Sequence, residues 1–131
     1  MDRASPTLSP PVRLSAWLPP LTLAAIIFIA SSRSVPSFVP RFPYSDKIIH
    51  FGVYSAFAFL LARALTASSV SPARALAIAV AGAFAYGILD EVHQSFVPSR
   101  TADVFDALTD GAGGLAGTFA YRWWLAFRSR R

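Results

Sequence analysis

The sequence has no cysteine and very little charge. Without cysteine there is no disulfide framework, no thiol nucleophile and no cysteine-built zinc site. Only 15% of the 131 residues are charged, while 54% are hydrophobic. Soluble domains carry about 25% charged residues, so this chain has too few polar residues to cover a water-facing surface. Its mean hydropathy of +0.47 agrees. A soluble globule, a disordered chain and a disulfide-stapled secreted domain are thereby excluded, and a small membrane protein remains. Acidic residues are also scarce, 7 against 12 Lys and Arg, for a net charge of +5. In a soluble chain such an excess would raise nucleic acid as a partner. Here the basic residues lie between and beyond apolar stretches, as in the positive-inside pattern and its attraction to anionic headgroups. The partner read from this is the lipid bilayer, and no nucleic acid.

Four apolar stretches organise the chain. Residues 1–13, with Pro6, Pro10 and Pro11, read as a disordered tail. The first run is Leu14 to Ala30, with Pro19 and Pro20 near its start, where a helix tolerates proline. A proline-punctuated loop follows, from Arg33 to Ser45. The second run is Ile48 to Ala62. The third opens at Ser71-Pro72, an N-cap followed by proline at the first helical position, and stays uncharged from Ala75 to Leu89. The fourth helix spans about Asp103 to Phe127, and residues 128–131 form a basic tail. The fold expected is all-α: one domain, residues 14–127, built as a bundle of four transmembrane helices. Ala30-x-Ser32 also offers a small-residue pair of the kind that precedes signal cleavage, although the long proline-rich tail argues against that.

Basic residues set the expected orientation. With four spans, one side holds Arg3, Arg13, Arg63, Arg74, Arg122, Arg128, Arg130 and Arg131, and the other holds Arg33, Arg41, Lys47 and Arg100. The richer side is expected in the cytoplasm, together with both termini and an aromatic belt at Trp123 and Trp124.

The polar residues are then placed unevenly. Asp46 and His50 fall at the outer start of the second helix. Asp90, Glu91, His93 and Gln94 end the third, and Arg100, Asp103, Asp106 and Asp110 lead into the fourth. Six of the seven acids, both histidines and one arginine thus share one layer. Charge at a membrane boundary is costly unless it faces a bundle interior or a watery cavity, so each residue is a functional candidate. Asp46, His50 and Tyr54 are four apart on one helical stripe, as are Tyr86, Asp90 and Gln94. Asp103, Asp106 and Asp110 share a face that Gly113 and Gly117 continue, and small residues four apart let another backbone come close.

These residues carry a resemblance. Asp46-Lys47-x-x-His50-x-x-x-Tyr54 is followed by Gly87-Ile88-Leu89-Asp90-Glu91-x-x-Gln94-x-Phe96-Val97-Pro98-x-Arg100, then by Asp106-x-x-x-Asp110 and Gly113-x-x-x-Gly117. In order and spacing this resembles the VanZ-like family of bacterial membrane proteins, over about Asp46 to Gly117. Asp110 departs from the asparagine frequent in that family, and Ser99 from a frequent glycine. The resemblance implies a role in the cell envelope, with the inner membrane as location, and its founding member is associated with low-level resistance to the glycopeptide teicoplanin. It names no reaction.

Each signal also has a plainer reading. Asp46 could be an N-cap, and Asp103 is read as one, with Asp106 as its capping-box partner. Lys47 is expected to snorkel to the interface, and His93 to be an interface residue. His50 needs a partner, and Asp46 is within reach; the pair would serve as a proton acceptor or as a structural hydrogen bond. Tyr54 and Tyr86 are read as interhelical donors or packing residues. Asp90, Glu91 and Gln94 are the strongest signal, because a helix C-terminus disfavours negative charge. Arg100 is expected to hold Glu91 or Asp106.

Charge counting then demands something more. Asp46, Asp90, Glu91, Asp103, Asp106 and Asp110 bring six negative charges, and Lys47 and Arg100 return two. Either some acids are protonated, or some face open water, or a divalent cation joins them. Mg²⁺ or Ca²⁺ suits carboxylates; zinc would use His50 without any zinc-ligand spacing to support it; a proton relay is a third option. Three functional classes follow: an envelope protein that alters glycopeptide access or handles a lipid-linked cell-wall precursor, an enzyme on a lipid substrate, and a structural or partner-binding membrane module. The enzyme class would use His50 and Glu91 as acid and base, with Arg100 on a phosphate. No P-loop, metalloprotease motif or Ser-His-Asp order is present to favour the second.

Overall fold

The structure is a computed structural model that describes residues 13–34, 39 and 42–131. The tail expected over residues 1–13, all but its last residue, and part of the proline-punctuated loop lie outside the described residues. Four helices follow in chain order: α1 Leu14–Ser31, α2 Ser45–Ala67, α3 Pro72–Gln94 and α4 Val104–Arg128. Among the described residues there is no strand. α1, α2 and α3 are long and apolar enough to cross a membrane. α4 has 25 residues, about 37 Å of helix at 1.5 Å per residue, but carries acids in its first two turns and arginines near its end.

Several boundaries move relative to the sequence reading. α2 begins three residues before Ile48, which places Asp46 and Lys47 within its first turn. Its N-cap is Tyr44, in the left-handed region at φ 65° and ψ 15°, so Asp46 is not the cap. Pro19 and Pro20 lie in the second turn of α1 rather than the first. There they remove the main-chain donors that would have met the carbonyls of Ser15 and Ala16. Pro72 does occupy the first position of α3, but the Ser71 side chain makes no capping bond. Asp103 caps α4, its carboxylate accepting from the Phe105 N–H at 2.8 Å.

α2, α3 and α4 pack mutually, and α1 lies against α2 and α3. The close approach comes from small residues. Ala75, Ala79, Ala83 and Gly87 are four apart and buried, a column down one face of α3. On α4, Gly113 and Gly117 sit against the α2 backbone at Phe51 and Ser55. A Cβ at position 113 would lie 2.6 Å from the Phe51 carbonyl oxygen. Side-chain bonds then lock the two ends. At one end Trp17 Nε1 donates to Ser68 Oγ at 3.0 Å, and Thr66 and Tyr121 share a hydroxyl bond. Midway, the Tyr86 hydroxyl donates to the Ala24 carbonyl at 2.7 Å, tying α3 to α1. Large apolar side chains such as Leu18, Leu21 and Phe119 point outward, as they must in a bundle solvated by hydrocarbon.

Packing at Gly113 gives a direct test. Gly113→Ala and Gly52→Ala both replace a helical glycine, and each gains about 1 kcal/mol of helix propensity. Position 52 has open space around it, whereas position 113 meets backbone. Thermal unfolding in detergent is expected to show Gly52→Ala at or above the parent and Gly113→Ala below it, overpacking costing about 1–3 kcal/mol.

Candidate functional site

Four helix ends meet at the other end of the bundle: the C-termini of α1 and α3 and the N-termini of α2 and α4. The polar layer expected from the sequence is assembled there as three groups, the first two linked through Asp103.

The first group joins α2, α3 and α4. His50 Nδ1 and Asp110 Oδ1 are 2.9 Å apart, so a protonated Nδ1 donates to the carboxylate. Asp110 is fully buried. It fits there because Gly87 faces it: a Cβ on Gly87 would come within 2.6 Å of Asp110 Oδ2. Glu91 stands one turn beyond Gly87 on the same small-residue column, and it is also buried. Ligand atoms of His50, Glu91 and Asp110 all lie within 4.8 Å of one another. Glu91 Oε2 accepts from the Asp103 N–H at 2.7 Å, which takes the place expected of a capping-box side chain from Asp106. Glu91 Oε1 and Asp110 Oδ2 have no partner; with the Tyr54 hydroxyl, they are the unpartnered buried side-chain polar atoms among the described residues. The Tyr54 ring stacks beside His50, centroids 6.2 Å apart. The partner of His50 is therefore Asp110 and not Asp46. Asp46 is exposed, on the outside of the bundle, and pairs with Lys47, at 3.4 Å.

In the second group Lys47 Nζ donates to Asp103 Oδ2 at 2.8 Å and to Asp106 Oδ1 at 2.9 Å. Lys47 does not snorkel; it is the charge partner of the α4 N-terminus. Its sequence signal was the three-residue spacing of Lys47 and His50, which puts the two on one face of α2. The Lys47 bond, with the Phe105 N–H, holds the Asp103 carboxyl below the usual carboxylate range. The contribution of that bond to the fold is present above the ordinary carboxylate pKa and is lost as the pH falls through the lowered value.

The third group belongs to α3 and α1. Gln94 Nε2 donates to Asp90 Oδ2 at 3.0 Å and reaches Ser31 Oγ at 3.5 Å, all three residues being buried. His93 Nε2 and Ser32 Oγ are 2.8 Å apart, and the His93 ring packs on Phe28, so His93 joins α3 to the end of α1. Among the described residues, Arg100 takes no carboxylate. Its Nε donates to the Arg33 carbonyl at 2.8 Å and its terminal nitrogen to the Ala30 carbonyl at 2.7 Å. The last carbonyls of a helix lack intrahelical partners, and the α1 C-terminus offers that need nearer to Arg100 than any acid.

Two open apolar grooves flank the start of α4. One, of about 490 Å³, lies between α2 and α4 beside Lys47 and Tyr44. The other, of about 450 Å³, lies between α3 and α4, lined by Phe84, Ile88, Val92, Ala107 and Leu108, with Glu91 and Asp103 at its polar part. An acid–imidazole pair beside a second buried carboxylate can accept, hold or pass a proton, or hold a cation; the groove can take an apolar chain.

Helices long and apolar enough to cross a membrane, closed over a buried polar site at one end, define a small multi-pass membrane protein. The family model described as VanZ/LLP1 matches residues 6–126, nearly the whole chain, and the chain belongs to that family. No curated protein and no solved structure is significantly similar to it.

The pairing pattern makes a mutational prediction. Lys47→Ala leaves the Asp106 carboxylate buried without its cation, at a cost of about 1–3 kcal/mol, and Asp106→Asn in the same chain is expected to recover much of the loss. Arg100→Ala removes two bonds to carbonyls and is expected to lower the melting temperature by an amount that neither Asp106→Asn nor Glu91→Gln restores. Melting in detergent across this set checks both statements; rescue of Arg100→Ala by either neutralisation would contradict the assignment.

Proposed function

We propose that this VanZ-family chain works in the bacterial cell envelope, as a four-span protein of the cell membrane that handles a lipid-linked cell-wall precursor at the outer face. The observation that carries this reading is the apolar groove between α3 and α4, which leads to the Glu91 carboxylate beside His50 and Asp110. A prenyl or acyl chain suits the groove, and the polar group behind it suits a headgroup. Orientation rests on the eight-to-four distribution of basic residues. Lys47 and Arg100, two of the four on the polar side, are engaged within the bundle, which sharpens that asymmetry. α4 crosses as the fourth span with its acids turned into the bundle. Both termini then lie in the cytoplasm. An effect on teicoplanin-type glycopeptides would follow from altered access to such a precursor.

A second reading, a membrane enzyme acting on the same lipid-linked substrate, is favoured by the His50–Asp110 pair. In it His50 takes or gives the proton, Asp110 orients the imidazole, and Glu91 is the second acid–base group. A third, a structural or partner-binding module, draws on Arg100, which ties the α3–α4 connection to α1.

Orientation is tested first. The chain lacks cysteine, so Ser99→Cys gives a single thiol in the α3–α4 connection. It is expected to react with an impermeant reagent on intact cells, while a reporter fused after Arg131 reports cytoplasm. Labelling only after lysis would place the site inside. Function is tested by lipid mass spectrometry on protein purified in mild detergent from native membranes. A retained polyprenyl-linked lipid is expected; bulk phospholipid alone would count against the proposal. Glu91→Gln is expected to insert and accumulate normally but to lose the envelope phenotype of the parent chain. A fully active Glu91→Gln would remove the acid–base reading, and a variant that fails to accumulate would favour the structural one.

A further inference from the structure

We infer that His50, Glu91 and Asp110 form a binding site for one divalent cation of the zinc class. The inference stands on the geometry and charge of these three residues and does not depend on which substrate the protein handles. One ligand atom from each residue lies within 4.8 Å of the other two, close enough for the three side chains to converge on one ion after small rotations. Glu91 and Asp110 are each more than nine-tenths buried, and each has an oxygen with no hydrogen-bond partner. Native proteins pair nearly all such atoms, because an unpartnered buried oxygen costs a desolvation penalty with no return.

Five ways of satisfying the two oxygens can be compared. A proton on one carboxyl group lets it donate to the other, and this is the metal-free state with which a cation competes. A protonated His50 already bonds Asp110 Oδ1; it leaves Oδ2 and Glu91 Oε1 unpaired and the three groups at a net charge of −1. Buried water would supply hydrogens but would leave that charge in place. The chain's own neighbouring cations are engaged elsewhere, Lys47 on Asp103 and Asp106 and Arg100 on main-chain carbonyls. A divalent cation between one neutral imidazole and two carboxylates brings the group to zero charge and gives both oxygens a partner. This matters most in a bundle whose surroundings are hydrocarbon, where uncompensated charge is most expensive.

The donor set selects the metal. Ca²⁺ takes six to eight oxygens and Mg²⁺ wants octahedral oxygen and water, whereas this site offers an imidazole and two carboxylates. Imidazole suits zinc and its first-row neighbours, and three protein ligands with a position left over is the arrangement of open zinc sites. Glu91 also lines the α3–α4 groove, so the site borders the side from which a ligand would enter. The Asp103 N–H bond to Glu91 Oε2 fixes the carboxylate and leaves Oε1 for the metal. That is the kind of outer support metal ligands usually have.

The test uses full-length protein in detergent, freed of metal by chelation. Zn²⁺ is titrated in against a chromophoric chelator, and metal content is read independently by mass spectrometry after gel filtration. One equivalent per chain is expected for the parent, with Zn²⁺ retained over a large excess of Mg²⁺ or Ca²⁺. Glu91→Gln and Asp110→Asn keep shape and are expected to weaken Zn²⁺ at least ~10–100-fold. Asp46→Asn, an exposed acid at the same end, is expected to bind as the parent does. Because a variant can fail to fold, Co²⁺ is also loaded into the parent chain, where visible absorption of a low-coordinate nitrogen–oxygen site is expected. Absence of stoichiometric Zn²⁺, equal binding by Glu91→Gln, displacement by Mg²⁺ or Ca²⁺, or a Co²⁺ spectrum identical to the hydrated ion would each overturn the inference. Lipid retention is measured separately, so failure here leaves the lipid-handling proposal standing on its own result.

Discussion

The buried carboxylate of Asp110 constrains the upper half of this bundle. It is an acid with no exposure, set between helices whose outer faces meet hydrocarbon. A charge in that position must be paired, bonded or neutralised. His50 from α2 supplies the bond, and Gly87 from α3 supplies the space. A side chain at position 87 would push α3 off α4, and α3 carries Glu91 one turn further on. The crossing of three helices, the burial of Glu91 and the capping of α4 through the Asp103 N–H therefore depend on one small residue facing one acid.

The remaining polar residues divide the work. Lys47 bonds both acids at the start of α4, which lets that helix enter the bundle with Asp106 on its inner side. Gln94 holds Asp90 against Ser31, and Arg100 and His93 fasten the α3 end to the α1 end. Among the described residues, these two groups leave no buried side-chain polar atom unpartnered. The group of His50, Glu91 and Asp110 leaves two oxygens unpartnered. That contrast marks the candidate site: satisfied networks hold helices, and the unsatisfied one has oxygens left to bind or react. Its place beside a groove between α3 and α4 gives that capacity an approach route.

Much of this was legible in the residues themselves. Apolar runs separated by prolines and by Ser71-Pro72 gave four helices, and the layer of acids at one end followed from where those runs begin and stop. The glycines at 113 and 117 marked a close approach correctly, and the column Ala75, Ala79, Ala83, Gly87 carries the same four-residue signal on α3 and points straight at Glu91. Partner choice was not legible. Asp46 is four residues from His50 and looked like its mate, yet it faces outward once α2 starts at Ser45. Lys47 looked like an interface residue, and Arg100 like a clamp on carboxylates.

The sequence alone determined what is governed by period and composition: helices, their apolar character, the end at which polar groups collect, and membership in a family recognised by spaced anchors. Tertiary structure decided which side chains meet. A hydrogen bond between residues about 60 positions apart, such as that of His50 and Asp110, depends on how two helices are rotated and shifted against each other, and small residues on both set that rotation. Arg100 shows the same limit. Carboxylates and the carbonyls at a helix end both accept from guanidinium, so chemistry allowed either partner, and only the position of the α1 terminus chose between them.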